Sequence, residues 1–139
     1  MVFGALDKER IGLNEDTLWA GGPCPLMKGS TEFFLDTLVA DPNTKYLVTC
    51  PSISPENPHG RGGATIGAGP ACDQQLLRDL LDHTVAAAQT LNLDSNFRDE
   101  VRTARNRLAP DRIGEAGQLQ ERQDDWDMIY TGACALRRC

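Results

Sequence analysis

Asp73-Gln-Gln-Leu-Leu-Arg-Asp-Leu-Leu-Asp-His-Thr-Val-Ala-Ala-Ala-Gln-Thr-Leu91 is the stretch that decides the fold class of this chain. Leu76, Leu77, Leu80, Leu81, Val85, Ala88 and Leu91 recur at three- and four-residue intervals, which is the period of one helix face. Arg78, Asp79, Asp82 and Gln89 fall on the opposite face, and Asp73 is placed to cap the start. After a break at Asn92–Ser95, the spacing of Phe97, Val101, Ala104 and Leu108 predicts a second amphipathic helix, which Pro110 stops. The two read as an αα-hairpin whose apolar faces need further partners.

Toward the N-terminus the pattern is weaker. Ser30 is a plausible N-cap with Glu32 in the first turn, where negative charge suits the helix dipole. Phe33, Phe34, Leu38 and Val39 then form a short apolar face that Asp41-Pro42-Asn43 ends. Residues 2–22 are β-like and turn-rich, and Gly21-Gly22-Pro23 is a break. Residues 47–70 read as a long irregular connection rich in Pro and Gly, of the kind that is either functional or disordered. Residues 111–127 are largely polar and carry Trp126. The fold class expected is mainly α with a short β segment at the start.

Composition narrows the function classes. A chain of 139 residues, 40% hydrophobic and 24% charged, has the makings of one ordinary core. A net charge of −6 argues against phosphate-backbone binding and suits a neutral ligand such as a sugar. No apolar run approaches the roughly 18 residues of a membrane span. Met1 is followed by Val-Phe-Gly-Ala-Leu without a basic leader region, so the expectation is a cytoplasmic chain. Cys24, Cys50, Cys72, Cys134 and Cys139 are odd in number and widely scattered, and they read as isolated thiols in a reducing compartment. His59 and His83 have no partner at ligand spacing, so neither a metal nor another cofactor is expected.

Glu9-Arg-Ile-Gly-Leu-Asn14-Glu-Asp-Thr-Leu-Trp19-Ala-Gly-Gly-Pro23 is similar to the signature near the start of the N-terminal β domain of glycoside hydrolase family 95, the inverting α-L-fucosidases, and two further stretches resemble the same family. Thr31-Glu-Phe-Phe-Leu-Asp36, followed by Tyr46-Leu-Val-Thr-Cys-Pro-Ser-Ile-Ser-Pro55-Glu56-Asn57, resembles the stretch around the general acid. Gly114 through Asp127, with Gly117-Gln-Leu-Gln-Glu121 and Asp125-Trp126-Asp127, resembles the motif after the next helical hairpin. The resemblance implies residues 1–23 from a β-sandwich domain, residues 27–128 from part of an (α/α)6 barrel, and residues 129–139 as a tail foreign to the family.

There are departures. In the family a long stretch separates the first signature from the second, whereas here Pro23 nearly meets Met27. Arg122 and Gln123 also stand where the family usually has Trp-Leu.

The resemblance makes Glu56 the general acid, and Asn57 a hydrogen-bond partner of the sugar or of that carboxyl. Pro51, Pro55 and Pro58 stiffen the segment that carries them. Trp19 and Trp126 are candidates for stacking on sugar faces, with core or interface packing as the other reading. Inverting hydrolysis also needs a base about 6.5–9.5 Å from the acid to activate water. The family's asparagine amides and aspartate for that task lie in motifs without a match here. Asp125 and Asp127 are the local substitutes, set against a role at a solvated helix end.

The expectation is therefore a glycosidase related to α-L-fucosidase, inactive as this chain. Its substrate class would be terminal α-1,2-linked L-fucose on oligosaccharides or xyloglucan-type glycans, with no nucleic-acid or membrane partner. The parent enzyme would be secreted or periplasmic. A non-catalytic fucosyl-glycan-binding module and a pseudogene product are the alternatives.

Overall fold

The computed structural model describes residues 23–54, 66–92, 94–115 and 117–125, and the expected β segment at 2–22 lies outside them. The described chain is mainly helical with a few very short strands. Helix α1 spans Pro23–Thr37, α2 spans Ala71–Thr90 and α3 spans Ser95–Asn106. Strands β1 (Val39–Ala40), β2 (Leu47–Val48), β3 (Ser52–Ile53) and β4 (Ile66–Gly67) lie between α1 and α2. The chain divides into two compact units, one of Met1–Thr37 with Arg78–Asn106 and one of Leu38–Leu77 with Arg107–Cys139.

In the first unit, α1 begins seven residues ahead of the expected Ser30 cap. Pro23 does not break the chain there. It opens the helix, where a proline's missing N–H has no intrahelical partner to lose and its fixed φ suits the first turn. The expected apolar face is also corrected. Met27 and Thr31, four residues apart, are the buried positions, while Phe33 is 59% exposed. At about 100° per residue, Phe33 is turned well away from the side that Thr31 defines. Its ring packs edge-on against half-buried Phe34, with centroids 5.2 Å apart. Thr31 shares a buried 2.9 Å hydroxyl–hydroxyl bond with Thr84 of α2, so neither polar group is left unsatisfied.

Helix α2 matches its predicted span closely, but its buried stripe is rotated. Leu77, Leu81, Thr84, Ala87 and Ala88 are buried with Gln74, whereas Leu76, expected on the packed face, is 63% exposed. Helix α3 follows its predicted pattern, with Val101 and Ala104 buried and Phe97 half-buried. Asp94 caps it by accepting the Phe97 N–H at 3.2 Å, and it also receives the Lys28 ammonium at 3.2 Å. The Lys28 nitrogen sits 5.0 Å from the Phe97 ring centroid, a cation–π contact. The Arg105 guanidinium grips both carboxylate oxygens of Asp82 at 2.8 and 2.9 Å, and this pairing pushes its pKa further up.

In the second unit the expected irregular connection carries strands. β1 and β2 pair antiparallel, Val39 with Val48 and Ala40 with Leu47. Asp41 builds the turn between them, accepting N–H groups from Asn43 at 2.8 Å and Thr44 at 2.7 Å. Asp41-Pro42-Asn43 is therefore a hairpin turn, separated from the end of α1 by β1. β3 pairs antiparallel with β4, Ser52 with Gly67 and Ile53 with Ile66. Leu47 donates its N–H to the Arg107 carbonyl at 2.7 Å and bridges to buried Leu108. Gly69 has φ +55° and lies so close to Val48 that an added Cβ would come within 2.8 Å of a Val48 methyl. Among the described residues no helix is long and apolar enough to cross a membrane.

Candidate active site

The geometry of the candidate site starts at Thr49-Cys-Pro-Ser52-Ile53-Ser54, which runs into the segment bearing Glu56. Thr49 and Ser52 both donate their hydroxyls to one oxygen of Asp73, each at 2.6 Å. Asp73 stands in the first turn of α2, so it presents a fixed carboxylate from a rigid element. The sequence placed it there as a cap, and the observed partners are side chains of a segment more than twenty residues upstream. Two residues on, Ser54 is only 4% exposed and donates its hydroxyl to Glu121.

Glu121 is itself held. Its second carboxylate oxygen lies 3.6 Å from the buried Arg122 guanidinium, an ion pair with little solvent to screen it. Its backbone carbonyl accepts the N–H of Ala71 at 2.9 Å, satisfying one of the orphan donors at the start of α2. Gly69 closes the arrangement, donating its N–H to Thr49 at 2.9 Å and accepting from the Gln123 amide at 3.3 Å. Charge-assisted bonds of this kind are stronger than neutral ones, and three hydroxyls on two carboxylates leave this strand little freedom.

The polarity of the strand is consequently inverted. Ser52 and Ser54 turn inward to carboxylates, while Ile53 and its cross-strand partner Ile66 point out, 56% and 59% exposed.

Glu56 and Asn57, and likewise Trp19, Trp126, Asp127 and His59, lie outside the described residues. The structure does bring together two of the stretches that carried the resemblance. Ser54, of the Ser-Pro-Glu-Asn string, touches Glu121, of the Gly-Gln-Leu-Gln-Glu string. Asp125, one of the two substitutes for the base, fastens a loop instead. It accepts the Glu115 N–H at 2.8 Å and the Gln118 amide at 3.2 Å.

The sequence offered Asp73 only as a helix cap and Glu121 only as part of the Gly-Gln-Leu-Gln-Glu string, and neither was expected to anchor the strand before Glu56. Nothing local distinguishes a carboxylate whose partner is 67 positions away. Cys50 is an exposed thiol on this segment. Among the described residues no group of three or more His, Cys, Asp or Glu could hold a metal ion.

No curated protein matches the chain. Residues 14–132, which take in the anchored strand, the Glu56 segment and the Glu121 loop, match the glycosyl hydrolase family 95 catalytic domain, and the chain belongs to that family.

Proposed function

We propose that this chain carries the acid half of an inverting α-L-fucoside hydrolase, binding terminal α-1,2-linked L-fucose on an oligosaccharide or xyloglucan-type glycan. In the complete reaction Glu56 is the group that gives its proton to the glycosidic oxygen as the bond to the anomeric carbon breaks, while a base on the opposite face of the ring activates the incoming water. The observation behind this reading is the Ser54–Glu121 bond, which ties the acid-bearing segment to a second stretch of the family match. Positioned groups are what convert an ordinary carboxyl into an effective general acid. Asn57 supports the sugar or the acid carboxyl, Trp19 and Trp126 offer ring faces to the glycan, and α1–α3 are part of an (α/α)6 barrel.

The residues that would hold and activate water have no counterpart among the motifs of this sequence, so the chain binds without turnover. Loss of one member of an acid–base pair costs a factor of about 10² to 10⁴ in rate, and loss of its positioning groups adds to that. Calorimetric titration with 2′-fucosyllactose tests the binding, with heats expected at millimolar ligand and flat heats overturning the fucoside assignment. Release of 4-nitrophenol from its α-L-fucoside is expected to stay at background. Release that Glu56→Gln abolishes would overturn the statement about turnover while upholding Glu56 as the acid.

A further inference from the structure

Helix α1 buries the side that carries Met27 and Thr31 and leaves the other exposed. A groove on the exposed side is lined by α1 alone, through Pro25, Leu26, Gly29, Ser30, Phe33 and Phe34. None of the six carries a charge, and Leu26 and Phe33 are 75% and 59% exposed. At about 100° and 1.5 Å per residue, these two stand on nearly the same line of the helix, roughly 10 Å apart. Gly29 and Ser30 lie between them, and nothing comes within 4 Å of where a Cβ on Gly29 would be. Two large apolar side chains thus flank a shallow gap.

The residue order of this groove is its own complement. Leu26 and Phe33 are equally far from the point between Gly29 and Ser30, and so are Pro25 and Phe34. With a second copy turned end over end about that point, Leu26 of each α1 meets Phe33 of the other, so both contacts form at once. The Gly29 and Ser30 positions of the two copies meet at the centre, where small side chains let the helix axes come close. Charge favours the same antiparallel arrangement. α1 has no acidic residue in its first turn and no basic one in its last, while Glu32 and Asp36 sit in its second half. Those carboxylates oppose the dipole of their own helix, and in the antiparallel pair they lie toward the positive end of the other copy's.

We propose that the outer face of α1 is a homodimer surface, its occupant the α1 of a second copy packed antiparallel. One 15-residue helix on another covers less than the roughly 1,200 Å² at which stable interfaces begin, so the dimer is weak and reversible.

Sedimentation velocity on the full chain, from micromolar to millimolar concentration, tests this. The parent chain is expected to pass from monomer to dimer across that range. Phe33→Asp and Leu26→Lys should each weaken association at least about tenfold, because a charge would be buried against an apolar side chain. The variant carrying both changes sets opposite charges across the interface twice over, and it should regain most of what each single change loses. Leu76→Asp, at a comparably exposed leucine on α2, should leave association unchanged. Because the altered positions are exposed, these variants keep their helices, which circular dichroism checks. A parent chain that stays monomeric throughout, whether residues 1–22 of the same chain or solvent cover the face, overturns the proposal. Association that Phe33→Asp leaves intact overturns it as well. A double variant no better than the single ones overturns the antiparallel pairing.

Discussion

Ser54 donates its hydroxyl to Glu121 across 67 positions of sequence, from a site almost closed to solvent. Removing Glu121 takes the bond from the buried Ser54 hydroxyl, and removing Ser54 leaves Glu121 with its Arg122 pair but one bond fewer; a buried polar group that loses its bond costs about 1–3 kcal/mol. Ser54→Ala and Glu121→Ala are each expected to destabilise the chain by that amount in urea unfolding. The double variant should cost clearly less than the two single losses added together. Additive losses would mean that the two side chains do not depend on one another.

Asp73 has two hydroxyls on it, from Thr49 and Ser52, and a helix start behind it. Asp73→Ala should cost about 2–4 kcal/mol, combining charge-assisted bonds with a lost first-turn charge. Asp73→Asn keeps an acceptor oxygen and should lose less than half as much. The midpoint of urea denaturation orders the three proteins.

Gly69 and Gly117 separate backbone strain from crowding. Both have positive φ, but an added Cβ at Gly69 meets Val48 at 2.8 Å, whereas at Gly117 it meets nothing within 4 Å. Gly117→Ala should cost only the left-handed penalty of about 1–2 kcal/mol. Gly69→Ala adds overpacking against a buried valine and should reach about 2–4 kcal/mol. Equal losses in thermal unfolding would show that Val48 yields freely.

Gln74 is only 1% exposed, and among the described residues neither end of its amide has a hydrogen-bond partner. Desolvating an amide without a replacement bond is unfavourable, and an apolar side chain of similar length avoids that cost. Gln74→Met is expected to stabilise the chain by about 1–2 kcal/mol, read as a higher thermal midpoint. A lower midpoint would show that the amide is partnered after all.

Acid sensitivity follows from two aspartates. The Phe97 N–H and then Lys28 hold the Asp94 carboxyl below its usual range. The Thr44 and Asn43 N–H groups do the same for Asp41. A carboxyl with a depressed folded-state pKa binds its proton more tightly when unfolded. Its contribution is therefore complete above the ordinary carboxylate pKa and is lost as pH falls through the folded value. Thermal midpoints should be flat from neutral pH to about 5 and fall below about pH 4, with Asp94→Asn blunting the fall. Solvent around Asp94 keeps the effect small.

How much of this was legible varies with range. The spans of α2 and α3 followed from apolar spacing, because local period alone sets a helix. The phase of the α2 stripe did not. Leu76 is as hydrophobic as Leu77, and only the partners around Gln74 and Thr84 decide which side turns inward. The start of α1 was obscured because Gly21-Gly22-Pro23 reads as punctuation, although a proline is also a good first residue of a helix. In the candidate site, Glu56 came from likeness to the family, while the carboxylates that steady its segment were hidden by distance along the chain.

The long reach of that Ser54 contact has a consequence for biosynthesis. A growing polypeptide leaves the ribosome from its N-terminus and can begin folding as it emerges. The strand before Glu56 therefore appears well ahead of the glutamate that fastens it. Both later helices can form before Glu121 is even translated, so the strand carrying Ser54 is fastened only after they have emerged.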